Sequence, residues 1–151
     1  MTGLAIPIVA VFALRGAGEG TEVLLLRRAN PPAGTWAQVA GKIETGEAAW
    51  QAALRELREE TGLVPDSLWT VDTRELFYEP DRDAFTLAPC FVALVPPVAE
   101  PVLDAEHDAF EWLTFDAAIA RVSFGGQRRV LRAIREDFVD YAPHPAQRVP
   151  T

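Results

Sequence analysis

Apolar residues in this chain fall into short runs separated by glycine, proline and charged clusters. Ile6 to Leu14 and Glu22 to Arg28 are β-branched or leucine-rich and predict two strands around RGAGEG, a glycine-rich hairpin loop. ANPPAGTW then predicts an irregular loop leading into one short strand, WAQVA. The pattern changes near Glu47, where Ala, Leu, Glu, Gln and Arg dominate as far as Thr61; all are good helix formers. Thr45 is the expected N-cap of this helix, and Gly62 stands where a C-terminal glycine would stop it. Leu68 to Phe77 and Phe85 to Val95 predict two further strands joined by EPDRD, and FEWL a short one after a Pro- and acid-rich connection. Two helices follow, Phe115 to Arg121 and Gly125 to Val139, the second with Val130, Ile134 and Phe138 as its apolar stripe. The expectation is one mixed α/β domain over 1–140, with 141–151 as a flexible tail.

Composition changes this picture little. At 151 residues, 49% hydrophobic and 24% charged, the chain has the make-up of an ordinary globular domain with a sizeable core. A formal net charge of -8 argues against bulk nucleic-acid binding, which needs a basic face. It leaves room for a small phosphorylated partner, because a bound divalent cation inverts the local field. The run LAIPIVAVFAL lacks a positive flank and is too short to span a bilayer, so it reads as a core strand, no membrane partner is expected, and a cytoplasmic location follows by default. The single cysteine, Cys90, sits in an apolar run and reads as a buried reduced thiol.

The candidate chemistry lies in GKIETGEAAWQAALRELREETGL, Gly41 to Leu63. At about 100° per residue, Trp50, Leu54 and Leu57 share one side of the helix, and Glu56, Glu59 and Glu60 fall within an arc of roughly 100° beside it. Ala49, Ala52 and Ala53 share or flank that arc, small enough to let a ligand approach. Three carboxylates so placed repel one another; Arg55, four residues before Glu59, relieves part of this, and a hard divalent cation with oxygen ligands would relieve more. A Glu/Arg-rich helix face is usually just solvated. The longer pattern is not: Gly41, Glu47, Arg55, Glu56, Glu59, Glu60 and Gly62 are seven strict positions, and at about 6% usage each a chance match is on the order of 10⁻⁸ to 10⁻⁹.

Gly41 to Leu63 resembles a complete Nudix box, and the strands on either side with a C-terminal helix are similar to the plan of that family. The resemblance implies an α/β/α sandwich with a mixed sheet and a catalytic loop–helix–loop, and Mg²⁺- or Mn²⁺-dependent cleavage of a diphosphate. It further implies that Glu56, Glu59 and Glu60 carry the metal chemistry, with the Ala40 carbonyl as a further ligand. Glu56 and Glu60 are the favoured primary ligands and Glu59 a ligand or base. Glu47 and Arg55 are expected to orient them. The flanking LLLRRANPPAGTWAQVAGKIETGE and AEHDAFEWLTFDAA are similar to the branch containing dihydroneopterin triphosphate pyrophosphatases and dNTP pyrophosphohydrolases, departing at Ala40, where many members carry glycine. That branch implies a triphosphate substrate cleaved to monophosphate and pyrophosphate; ADP-ribose or dinucleoside polyphosphate hydrolysis is the alternative, a non-catalytic nucleotide-binding module the remote one. A homodimer is compatible with it.

The matching EH stretch places Glu106 as a base or metal-positioning group, with Asp104 and Asp108 as dispensable loop acids and His107 without a partner cluster. Lys42 faces a phosphate or only solvent. Arg27 and Arg28 contact phosphate or merely end a strand. Trp36 stacks on a base or fills the core, and Trp112 reads as core.

Overall fold

The computed structural model describes residues 1–151 and begins with strands β1 (Gly3–Ala5) and β2 (Ile8–Arg15). Side chains alternate across a strand, and β2 uses both faces. Val9, Val11 and Ala13 enter one buried cluster, and Ala10, Phe12 and Leu14 enter another. Burial on both sides explains why its sequence is a continuous apolar run rather than an alternating one. Strand β3 (Glu22–Arg28) divides the same way, Leu24 and Leu26 on one side and Val23 and Leu25 on the other.

β4 (Trp36–Ala37) and β5 (Val39–Lys42) follow, then helix α1 (Ala49–Thr61), β6 (Ser67–Glu79), β7 (Ala84–Leu94), β8 (His107–Leu113), α2 (Phe115–Arg121) and α3 (Gly125–Arg135). The strands form one mixed sheet. β7 runs parallel to β1 and β2 and antiparallel to β6; β2 also pairs with β5, and β3 with β4 and β8, all antiparallel. Ala52, Ala53 and Leu57 of α1 cover one face of the sheet, and Ala118 of α2 with Val130, Leu131 and Ile134 of α3 cover the other. The result is an α/β/α sandwich, as expected.

Four expectations need correction. WAQVA is two strands, not one: the chain breaks at Gln38, β4 continuing on β3 and β5 on β2. The helix does not start at Thr45. Glu44–Glu47 is a turn closed by the Glu47 N–H on the Glu44 carbonyl, with Gly46 at φ 81°, and α1 begins only where Gln51 Oε1 accepts the Ala48 N–H. α3 ends at Arg135 and runs on as a π-helical turn, Glu136–Asp140, rather than as regular helix to Val139. The segment 141–151, expected to be a flexible tail, is packed: Val149 is 8% exposed within the α1-side core, and its N–H donates to the Leu68 carbonyl at 2.8 Å. Gln147 exchanges hydrogen bonds with Thr70 and Arg148 bridges to Trp69, so the terminal residues lie back along β6. Gly62 ends α1 in the left-handed conformation at φ 69°, as expected. Cys90 is buried, which pushes its thiol up to about 12.

Candidate active site

The loop before α1 and the helix itself are tied together by one guanidinium. Arg55 donates from Nε to Glu47 Oε2 (2.8 Å) and from Nη2 to Glu47 Oε1 (2.9 Å) and the Lys42 carbonyl (2.8 Å). Its Nη1 donates to Glu56 Oε1 (2.8 Å) and Glu59 Oε2 (3.2 Å). Glu47 Oε1 also accepts the Glu44 N–H, and these bonds, that from Arg55 foremost, lower the Glu47 carboxyl to about 2. The Glu47 and Glu56 hydrogen bonds in turn raise the Arg55 pKa above its usual value. A bidentate pair of this kind fixes direction as well as charge. Arg55 therefore holds the side-chain positions of Glu56 and Glu59 while locking the preceding loop.

Gly41 explains itself in the same place. A Cβ there would overlap the Glu56 carboxylate, which lies across the glycine backbone. The alanines of α1 do something different from what was expected. Ala52 and Ala53 are fully buried in the core, so they let the helix approach the sheet and leave no room for a ligand.

Glu60 departs furthest from what helical periodicity by itself suggests. It is 4% exposed, and its Oε2 has no hydrogen-bond partner. Burial first, then the neighbouring Glu56, Asp104 and Glu106 charges, push its carboxyl up to about 9, with the Ala40 backbone offering partial relief. Glu56 is likewise raised, mainly by burial, against the pull of Arg55. Glu59 stands at the exposed rim of this group, engaged with Arg55.

The opposite side comes from the connection before β8. Glu60, Glu106 and His107 bring one donor atom each within 4.8 Å of one another. Asp104 organises this edge: its Oδ1 accepts the Glu106 N–H (3.2 Å) and lies 3.0 Å from His107 Nδ1. The Glu106 carbonyl is pinned by the Ala29 N–H at 2.8 Å. Asp104 is thus no idle loop acid, and His107 does have a cluster. The sequence signal for both was their spacing around Glu106, but only the chain reversal onto α1 gives it meaning. Asp108 remains outside, paired with Arg27 at 2.6 Å.

Two carboxylates and one imidazole, with a buried, unpartnered carboxylate oxygen among them, fit a divalent cation, which would neutralise the mutual repulsion and occupy the orphaned atom. The Ala40 backbone N–H lies beside Glu60, which brings that residue of β5 to the same group.

Ala40 also lines a cleft of about 630 Å³. Arg28 and Trp36 reach it; Lys42 does not line it, and its side chain is exposed. Arg28 donates to the Pro31 carbonyl at 3.1 Å, while its buried Nε lacks a partner. Trp36 is half-buried, with the Arg121 and Arg27 guanidinium carbons 4.9 Å and 5.8 Å from its ring centroid, so it belongs partly to the core and partly to the cleft. Trp112 packs on the α1-side core beneath Arg15. The sequence reading missed Gln38, Glu75 and Gln127, which meet in this cleft from three separate segments.

The octanoyltransferase of Myxococcus xanthus is 38% identical over 134 residues, which is 82% of this chain and 35% of that protein; the chain spans about a third of that relative's length. The dihydroneopterin triphosphate diphosphatase of Escherichia coli K12 is 30% identical over 136 residues, covering 82% of this chain and 89% of that one. Among solved structures, a Caenorhabditis elegans Ap4A hydrolase binary complex superposes with a TM-score of 0.73 at 24% identity, covering 86% of this chain and 95% of that chain, a likeness of fold. No helix here is long and apolar enough to cross a membrane. Residues 5–134 match the NUDIX domain model, and with the box, the sandwich and the carboxylate cluster in place, the chain belongs to the NUDIX domain family.

Proposed function

We propose that this chain is a divalent-metal-dependent hydrolase of a diphosphate linkage in a nucleoside triphosphate-like or dihydroneopterin triphosphate-like substrate, releasing a monophosphate and pyrophosphate. The observation that carries the reading is Glu60, a buried carboxyl with an orphaned oxygen facing Glu56 and Glu106. No donor of the protein reaches that oxygen, and a cation would occupy it.

In this reading Glu56, Glu60 and the Ala40 carbonyl hold Mg²⁺ or Mn²⁺, which when bound neutralises phosphate charge and makes a water acidic. Glu106 is the group that takes the water's proton, since Asp104 fixes its backbone opposite α1 while Glu59 is engaged with Arg55. Arg55 and Glu47 keep the carboxylates aimed. Arg28 reaches the cleft and serves the substrate's phosphate chain, while Lys42 and Arg27 line no part of it. The cleft beside Ala40 takes the non-phosphate moiety, with Trp36 in its wall.

A panel of dNTPs, dihydroneopterin triphosphate, ADP-ribose and dinucleoside polyphosphates assayed with Mg²⁺ tests this. Triphosphates should yield pyrophosphate, with orthophosphate appearing only after a pyrophosphatase is added. Full activity in excess EDTA, or orthophosphate released directly, would refute it. Faster turnover of ADP-ribose or a dinucleoside polyphosphate would reassign the substrate.

A further inference from the structure

The cleft beside Ala40 contains a polar relay with a fixed direction. The Phe124 N–H donates to Gln127 Oε1 at 3.1 Å. That bond orients the Gln127 amide, so its Nε2 donates to Gln38 Oε1 at 3.0 Å. Gln38 is then oriented in turn, and its Nε2 donates to Glu75 Oε1 at 3.0 Å. A backbone N–H cannot act as an acceptor, so no amide flip reverses the chain. The relay ends on an acceptor, and Glu75 makes no other side-chain hydrogen bond. Burial raises the Glu75 carboxyl, with Gln38 pulling it back, so the charged form has one donor from the protein and remaining lone pairs on both oxygens.

The walls around this acceptor are aromatic. Trp36, Phe77 and Phe124 line the cleft, and Phe124 stays 71% exposed and Phe77 40% exposed, large apolar surfaces left in water at the cleft. Flat apolar walls with one oriented carboxylate call for a planar heterocycle with N–H donors along an edge. A carboxylate accepts two adjacent N–H groups at once, as it does from a guanidinium. The ring edge with that arrangement is the 2-amino-4-oxopyrimidine edge, an N–H beside an exocyclic NH₂, common to guanine and pterin.

We propose that Glu75, oriented by Gln38 and Gln127, is the specificity-determining residue of this cleft and selects substrates carrying a 2-amino-4-oxopyrimidine edge. This rests on the phosphohydrolase reading above for its kinetic test, but not for its binding test. Glu75→Gln is the informative variant. Its amide oxygen still accepts from Gln38, so the relay and the fold are kept, while its NH₂ now meets the ligand's donors.

With Mg²⁺, the wild-type kcat/KM for dGTP should exceed that for dITP, which lacks the 2-amino group, by at least about tenfold, the scale of one hydrogen bond to a charged acceptor. Glu75→Gln should bring that ratio towards one, because dGTP loses two donor contacts and dITP only that of its ring N–H, so dGTP turnover falls further than dITP turnover, with Tm within a few degrees of wild type. Dihydroneopterin triphosphate should lose turnover in the variant in parallel with dGTP, and its wild-type rate relative to dGTP tells the pterin from the guanine source. Calorimetric titration of GMP and IMP in EDTA reads the same discrimination without catalysis. Equal use of dGTP and dITP by the wild type, or an unchanged ratio in Glu75→Gln, would overturn the assignment. Discrimination of GMP from IMP without triphosphate hydrolysis would overturn the reaction and support the role of Glu75.

Discussion

Glu60→Gln should stabilise the metal-free protein at neutral pH, and the gain should depend on pH in a defined way. The folded carboxyl titrates near 9 against 4.5 when unfolded. Between those values the folded state holds a proton that the unfolded state has lost. Stability contributed by this site is therefore greatest below 4.5 and falls as pH rises towards about 9. Each pH unit in that window costs about 1.4 kcal/mol, so by pH 7 the wild type has lost roughly 3 kcal/mol. Glutamine has no proton to lose and escapes the cost. At roughly 2–4 °C per kcal/mol for a chain of this size, the variant's Tm should exceed wild type by roughly 6–12 °C at pH 7. Whatever else the substitution changes is common to all pH values, so the difference in Tm between pH 4 and pH 7 is the quantity to read. Thermal melts in EDTA at intervals of about half a pH unit would provide it. Adding Mg²⁺ should then raise the wild-type Tm at pH 7 and leave Glu60→Gln unmoved, since the cation replaces the proton on Glu60. Parallel Tm curves for the two proteins from pH 4 to 8 would refute the buried-carboxyl reasoning, and with it the main structural argument for a cation.

Three further expectations follow from particular contacts. Gly41→Ala should cut kcat by roughly 10²-fold through displacement of the Glu56 carboxylate, yet shift Tm by only a few degrees because the group displaced is the end of a flexible side chain; unchanged kcat would mean that Glu56 placement is immaterial. Glu106→Gln should lower kcat by roughly 10²-fold or more as a lost general base, and Asp104→Asn should lower it too by loosening the Glu106 backbone and His107, whereas Asp108→Asn should stay near wild type; steady-state kinetics at saturating Mg²⁺ separates the three. Deleting 141–151 should lower Tm by several degrees through loss of Val149 and its bond to Leu68; an unchanged melt would return the segment to the status of a flexible tail.

Much of this protein was determined by sequence alone because the signals were local. Two buried strands announce themselves as unbroken apolar runs, and β3 and α2 have the bounds the pattern predicts. The box glutamates needed only helical periodicity to fall on one arc, and Gly62 only its tolerance of positive φ. What the sequence could not determine was what lies opposite each element. Glu60 looks like a surface residue on a helical wheel; it is buried because the Asp104–His107 connection folds over it, which also turns a solvated acid into a carboxyl raised to about 9. Asp104 and His107 gained their roles by the same chain reversal. Gln38, Glu75 and Gln127 are unremarkable in their own stretches and form a relay only because a strand break, an outer strand and a helix start converge there. Burial and pairing across long sequence separations depend on how the sheet is wound, and periodicity along the chain carries no information about which partner arrives from the other side.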